Sequence, residues 1–265
     1  MKVAAVQHDI CWEDPTATHA RLTPLIDRAV AQGAELVLLT EMFASGFSMA
    51  VDRIVEAPDG PSTTFLRAQA ARHQVWIGGS IALRWPEADG WPRNVFTLAH
   101  PDGALTRYAK LHPFSYGGEH EVYASGDAVV GVELGGLRVT PFVCYDLRFA
   151  NVFWKAAPRT DVYTVVANWP ESRREHWTAL LRARAIENQA YVVGVNRVGE
   201  GGGIRYVGDT RIVDPFGHEV ATAWGDETVV VAELDPARVS AVRSRYPFLA
   251  DRRDDVSGMS GAPPA

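Results

Sequence analysis

Met1-Lys2-Val3-Ala4-Ala5-Val6-Gln7, followed by Asp14-Pro15 and, past Gly33, by Leu36-Val37-Leu38-Leu39, is the stretch that decides the fold class. The first run is short, rich in valine and alanine, and reads as a strand. Asp14-Pro15 carries the N-cap and first-turn signature of a helix. Leu22, Leu25, Ile26, Ala29 and Val30 share one face and extend that helix to about Gln32. Gly33 closes it, and Leu36 to Leu39 is a continuous apolar run of the kind found in strands buried on both faces. Strand, helix and strand in this order make the basic α/β unit.

Working outward, a second helix is expected around Thr63 to Arg72, leading to a strand at Val75 to Gly78. Asn94 to Ala99 and Leu105 to Ala109 flank Pro101-Asp102-Gly103, and Val129 to Leu134 and Leu137 to Val143 flank Gly135-Gly136. Both are hairpin signals. A helix from about Phe149 to Ala156, a strand at Val162 to Ala167, a helix over Glu175 to Asn188 and a strand at Tyr191 to Asn196 follow. Gly208 to Asp214 pairs with Glu219 to Thr222 across Pro215-Phe216-Gly217, and Thr228 to Leu234 completes the set. Alternation interleaved with hairpins predicts a mixed sheet covered by helices, with the hairpin strands pointing to two packed sheets. Residues 1–250 read as one domain, and 251–265, ending in small residues, as a flexible tail.

The 265 residues include 26 Lys and Arg against 32 Asp and Glu, a net charge of −6, and are 47% hydrophobic. That composition supports a large core and argues against nucleic acid as the main partner, because phosphate binding needs clustered cations. No stretch approaches the apolar length of a membrane span. The apolar run at the N-terminus is short and Asp9 interrupts it, unlike a secretory signal. Cys11 and Cys144 allow at most one disulfide, so the expectation is a cytoplasmic protein with two free thiols.

Several residues carry possible chemistry. Cys144 stands between a buried strand and an expected helix start, where free amide N–H groups stabilise a thiolate; a small buried core residue is the alternative. Cys11 lies in a polar connection without such placement. Glu41 follows the Leu36 to Leu39 strand at the edge where α/β sheets form ligand crevices, so it reads as a general base or as a solvated loop residue. Lys110 ends the Leu105 to Ala109 strand and either polarises a carbonyl oxygen or lies along the surface. Glu119-His120-Glu121 fits no zinc spacing and no other His or Cys pattern does, so no metal is expected. Gly199-Glu200-Gly201-Gly202-Gly203 lacks the ending of a phosphate loop and reads as a flexible surface loop.

Glu41, Lys110 and Cys144 in this order resemble the Glu-Lys-Cys triad of the nitrilase, or carbon-nitrogen hydrolase, superfamily. Thr40-Glu41-Met42-Phe43 with Gly46-Phe47, Tyr108-Ala109-Lys110-Leu111-His112, and Val143-Cys144-Tyr145-Asp146-Leu147-Arg148-Phe149 look like its three motifs. The likeness continues through Ala167-Asn168-Trp169-Pro170, Arg182 to Gln189, Asn196-Arg197-Val198-Gly199 and Asp214-Pro215-Phe216-Gly217. Asn168-Trp169-Pro170 followed by Arg173 and His176-Trp177 is similar to the omega-amidase branch. Thr40 and Ala150 depart from it, each standing where proline is common.

The resemblance implies a four-layer α-β-β-α sandwich with two mixed sheets, commonly a homodimer, and a cofactor-free amidase. It implies hydrolysis of the side-chain amide of 2-oxoglutaramate or 2-oxosuccinamate through a cysteine thioester. In that scheme Cys144 attacks, Glu41 serves as base and then acid, and Lys110 with the backbone N–H of Tyr145 holds the oxyanion while its charge favours the thiolate. Glu119 matches the second glutamate, with Glu121 the competing assignment. An acidic substrate needs a cation, and Arg173 is the candidate because guanidinium pairs bidentately with carboxylate. Arg148 lies nearer the nucleophile and reads equally as a structural ion-pair partner. Phe43, Tyr145 and Trp169 are expected to shape the pocket or to pack the core. The competing functions are a nitrilase or N-carbamoyl amino acid hydrolase, a Cys-His hydrolase using His112 or His120, and a non-catalytic binding protein.

Overall fold

Strand β1 (Lys2–Gln7) pairs in parallel with β2 (Leu36–Leu38), and the connection between them is helix α1 (Pro15–Ala31). Asp14 caps α1 by accepting the Ala17 N–H at 3.0 Å, and Pro15 occupies the first turn. The structure is a computed structural model describing residues 1–85 and 90–253. After α2 (Val51–Ile54) and α3 (Pro61–His73), β3 (Trp76–Arg84) joins β2 in parallel; β4 (Pro92–Ala99) and β5 (Leu105–Ala109) then add as antiparallel strands. The hairpin of β6 (Val132–Leu134) and β7 (Leu137–Val143) opens a second sheet. Helix α4 (Ala150–Ala156) leads to β8 (Val162–Ala167), and α5 (Arg174–Asn188) leads to β9 (Tyr191–Asn196). A small hairpin, β10 (Val198–Gly201) and β11 (Ile204–Val207), precedes β12 (Thr210–Val213) and β13 (Glu219–Ala223). Strand β14 (Thr228–Glu233) and helix α6 (Pro236–Arg245) are the last regular elements among the described residues.

Two six-stranded mixed sheets result, in the orders β14-β1-β2-β3-β4-β5 and β13-β12-β9-β8-β7-β6. Alternation along single strands shows how they stack. Val3 and Ala5 of β1, Leu36 and Leu38 of β2, and Phe96 and Leu98 of β4 pack in one cluster with Val139, Val165 and Val193 of the second sheet. The intervening Ala4, Val6, Val37 and Val95 pack instead with Leu22 and Ile26 of α1 and Leu66 of α3. A period of two thus sends one set of side chains between the sheets and the other beneath the helices. Trp177, Leu181 and Ala185 bring α5 onto the second sheet. The layers are α-β-β-α, as the resemblance implied. Each fully buried leucine or valine in them contributes about 1.5–3 kcal/mol.

Three elements differ from the expectation. Strand β3 runs to Arg84 rather than stopping at Gly78, because Gly78 and Gly79 are strand residues without room for a side chain: a Cβ on Gly78 would lie 2.7 Å from the Phe96 ring. Gly199 to Gly203 is no loose loop; it supplies three residues of β10 and the turn of the β10-β11 hairpin, whose turn residues Gly202 and Gly203 take φ of 57° and 74°. Helix α6 was not anticipated, although Asp235-Pro236 repeats the Asp14-Pro15 signature and Asp235 accepts the Ala237 N–H. Of the expected tail, residues 254–265 lie outside the described residues. No described helix is long and apolar enough to cross a membrane.

Candidate active site

Four strands deliver polar residues to one edge of the sandwich. Glu41 follows β2, Lys110 follows β5, Cys144 follows β7 and Asn168 follows β8. Strand β5 is antiparallel to β4, which is antiparallel to β3, so β5 runs with the parallel strands and ends on their side. This is the carboxyl edge at which α/β sheets place ligand sites.

Lys110 Nζ donates to Glu41 Oε1 at 2.9 Å and to Glu119 Oε2 at 2.7 Å, with all three side chains buried. Asn94 Nδ2 donates to Oε1 of both carboxylates, at 2.9 and 3.0 Å. The Asn168 backbone N–H reaches Glu41 Oε2 at 2.8 Å, and the Phe114 N–H reaches Glu119 Oε2 at 2.5 Å. Cys144 and Glu41 line the same cavity, and the Glu41 carboxylate acts on the thiol. Of the Glu119-His120-Glu121 run only Glu119 turns inward; His120 and Glu121 are exposed. The structure therefore brings Glu41, Lys110, Glu119 and Cys144 together.

Charge follows burial. Desolvation lowers the proton affinity of Lys110, but Glu119, Glu41 and Cys144 outweigh it and the ammonium is held well above its ordinary range. Burial pushes the Glu119 carboxyl up, with Lys110 opposing. Burial and then the negative charge of Glu41 push the Cys144 thiol up, with Lys110 opposing. This overturns the expectation of a stabilised thiolate. Cys144 to Arg148 is a 3-10 turn and α4 begins only at Ala150, so the sulfur does not sit at an α-helix N-terminus. Cys144 is thus a thiol beside a carboxylate, so an attack by its sulfur would require its proton to be removed.

Cys144 also holds a φ of 44°, a backbone conformation that costs a non-glycine residue about 1–3 kcal/mol. Asp146 fastens the turn. Its buried carboxylate accepts Val143 N–H at 3.1 Å, Tyr108 Oη at 2.8 Å and His112 N–H at 3.0 Å, and pairs with His112 Nδ1 at 2.8 Å. His112 is thereby committed to Asp146 and stacks on Phe149, with ring centroids 3.8 Å apart. With His120 exposed, neither histidine is arranged as the base of a Cys-His pair.

A cavity of about 410 Å³ opens over Cys144 and Glu41. Tyr145, Trp169, Arg148 and Arg173 line it, and Phe47 and Phe114 form much of its apolar wall. Phe43 does not: it is fully buried with Leu39 and Phe65 under the first sheet's helices, because Leu39 and Phe43 turn to the helix side once β2 has ended. Arg173 lies over the Phe114 ring at 5.3 Å. Arg148 lies over the Trp169 ring at 4.8 Å and meets His176 Nδ1 at 3.2 Å. The ion-pair reading of Arg148 does not hold, since among the described residues neither guanidinium is paired with a carboxylate. Burial and then the like charge of Arg173 lower the proton affinity of Arg148.

Asn94 was missed as a site residue. It shares parity with Phe96 and Leu98, which face the second sheet, and a polar side chain at such a position needs partners. That was the available signal.

The carbon-nitrogen hydrolase family matches residues 2–244. The omega-amidase YafV of Escherichia coli K12 is 38% identical over 253 residues, covering 95% of this chain and 96% of that protein. A 2-oxoglutaramate amidase of Bacillus subtilis is 30% identical, covering 96% of this chain and 98% of its own. A solved CN-hydrolase superfamily protein from Xanthomonas campestris, with an arsenic adduct in its active site, superposes with a TM-score of 0.90 at 37% identity, covering 97% of this chain and 99% of that one. With the triad assembled at the strand ends of an α-β-β-α sandwich, the chain belongs to the carbon-nitrogen hydrolase, or nitrilase, superfamily and to its omega-amidase-like branch.

Proposed function

We propose that this protein is an omega-amidase that hydrolyses the side-chain amide of a 2-oxo dicarboxylic acid monoamide, such as 2-oxoglutaramate or 2-oxosuccinamate, to the 2-oxo acid and ammonia. The observation that carries this reading is the cavity in which Arg148 and Arg173 stand together over Cys144 without a carboxylate partner among the described residues. Two adjacent guanidiniums repel each other, and an anionic substrate relieves that repulsion. An α-ammonium in the same place would add to it. The pair therefore favours a 2-oxo acid amide over glutamine.

Chemistry then runs through the buried cluster. Cys144 Sγ bonds to the amide carbon as its proton passes to Glu41, and the carbonyl oxygen takes the negative charge. An ammonium has three N–H groups, and Lys110 spends two on Glu41 and Glu119, leaving one for the oxyanion beside the Tyr145 backbone N–H. Glu41 returns its proton to nitrogen, the C–N bond breaks and ammonia leaves. Water positioned by Glu119 attacks the thioester, giving its proton to Glu41, and the C–S bond breaks to restore the thiol.

The test is ammonia release from 2-oxoglutaramate, 2-oxosuccinamate, glutamine, an N-carbamoyl amino acid and a simple nitrile, with wild type beside a folded Cys144→Ala. Cys144-dependent release confined to the 2-oxo acid amides is the expected result. Preference for another compound would leave the mechanism and move the substrate class. Arg173→Ala is expected to raise KM for the 2-oxo acid amides about 10- to 100-fold, the worth of a charge-assisted hydrogen bond, while sparing a neutral amide. Equal changes for both substrates would end its assignment as the carboxylate partner. The same reading includes a homodimer, which sedimentation would register as twice the chain mass.

A further inference from the structure

Among the described residues Asn94 is the one uncharged side chain that hydrogen-bonds both carboxylates of the cluster, and the mechanism above does not use it. It stands near the start of β4, 1% exposed. Its backbone carbonyl accepts the Lys110 backbone N–H at 2.9 Å, so β4 also fixes where the Lys110 main chain lies. The amide orientation follows from its neighbours. Both oxygens it meets belong to carboxylates, which accept and do not donate when ionised, so the NH2 end must face them. In this orientation Asn94 Oδ1 is buried without a hydrogen-bond partner among the described residues. An amide that leaves its own acceptor unsatisfied to give its donors to two carboxylates is held there by those carboxylates.

Counting donors shows what this does. Glu41 receives Lys110 Nζ and Asn94 Nδ2 on Oε1 and the Asn168 N–H on Oε2. Glu119 receives Lys110 Nζ and the Phe114 N–H on Oε2 and Asn94 Nδ2 on Oε1. One ammonium thus serves two carboxylates, and no second cation pairs with either among the described residues. The other titratable groups acting on the cluster are Tyr123, Tyr206 and Arg148, none of which donates a hydrogen bond to Glu41 or Glu119. A neutral bridge is what lets both acids stay close to one Lys110 without a further charge.

We infer that Asn94 is a positioning residue of the reaction, bridging Glu41 and Glu119 so that both keep their places on Lys110 and Glu41 keeps its place beside the Cys144 thiol. Hydrogen-bond donors favour the ionised form of a carboxylate that accepts from them, so a pH profile registers their loss. The inference rests on the assigned roles of Glu41 and Cys144 and not on which amide is the substrate.

The experiment compares wild type with Asn94→Leu, of similar size without donors, and Asn94→Asp, of the same shape with an added acid. Two pH profiles are recorded: kcat/KM on any amide the wild type hydrolyses, and the rate of Cys144 alkylation by iodoacetamide, which needs no substrate. Folding is checked by near-ultraviolet circular dichroism. In Asn94→Leu the expected result is a kcat lower by about 10²-fold with KM within about threefold, as for a lost contribution to general-base catalysis. The acid limb of both profiles is expected to move up by about half a pH unit or more, and further in Asn94→Asp, where a third acid joins the pair. Folded variants whose acid limbs coincide with wild type would overturn the inference. Should Asn94→Leu not fold, Asn94→Asp and Asn94→Ser, which keeps one donor, give the same comparison. A shifted alkylation limb in a protein that ignores 2-oxo acid amides would uphold Asn94 and reject the omega-amidase reading.

Discussion

Glu41→Gln is expected to reduce turnover by the upper end of the roughly 10²- to 10⁴-fold that a general base contributes, while making Cys144 easier to ionise. The two effects have opposite signs because Glu41 has two influences on the thiol. Its negative charge raises the thiol's proton affinity, on top of burial. Glutamine keeps the shape, removes the charge, and leaves Lys110 to attract the thiolate. The high-pH rise in Cys144 alkylation should therefore move to lower pH. Turnover nevertheless collapses, because glutamine can neither accept the thiol proton nor deliver one to the departing nitrogen. Steady-state ammonia release and alkylation rates on one preparation check this. A variant with near-wild-type turnover would show that Glu41 is not the base, and the Cys-His reading would return.

Lys110→Met should damage stability and catalysis together. The ammonium is buried between Glu41 and Glu119 at 2.9 and 2.7 Å, and its removal leaves two like charges facing each other out of water. Breaking a buried ion pair from one side costs about 3–5 kcal/mol. The cost should depend on pH. Burial already raises the Glu119 carboxyl and Lys110 is what opposes this, so without Lys110 it rises further. A group with a raised folded value favours the folded state at low pH and loses that contribution as pH rises through the folded value. The deficit relative to wild type should therefore be larger at pH 8 than at pH 5, which urea unfolding at the two pH values measures. An equal deficit at both would mean that the cost is lost packing. Activity should fall by at least the roughly 10²- to 10³-fold associated with one oxyanion donor.

Much of the fold is legible in local sequence. The strand-helix-strand opening, the Pro101-Asp102-Gly103 and Gly135-Gly136 hairpins, and the runs Val162 to Ala167 and Tyr191 to Asn196 all appear where expected. Each is carried by periodicity or turn chemistry within a few residues. What failed did so for local reasons too. Gly78-Gly79 hides the continuation of β3 because glycine gives no strand signal, yet only glycine fits beneath Phe96 and Leu39. Helix α6 buries only Val239 and Val242, too short an apolar face to stand out despite its Asp-Pro start.

The site divides differently. Glu41, Lys110 and Cys144 are recognisable because each stands within flanks that resemble a family motif. Phe43 sits inside one of those flanks and still packs the core, since a flank does not say which side of the chain a ring leaves once the strand has ended. Asn94 carries no reactive group and belongs to no quoted motif, so only its contacts reveal it.

The sequence by itself determined most element types and the α/β class, because these follow from periodicity and turn chemistry along the chain, and it singled out Glu41, Lys110 and Cys144 through the resemblance of their flanks to a known family. Only the tertiary structure decided that Glu119 and not Glu121 meets Lys110, that Cys144 rests as a thiol, and that Arg148 and Arg173 face the cavity without counterions. The physical reason is that proton affinity and charge pairing depend on burial and on distances of a few ångströms between residues far apart in the chain.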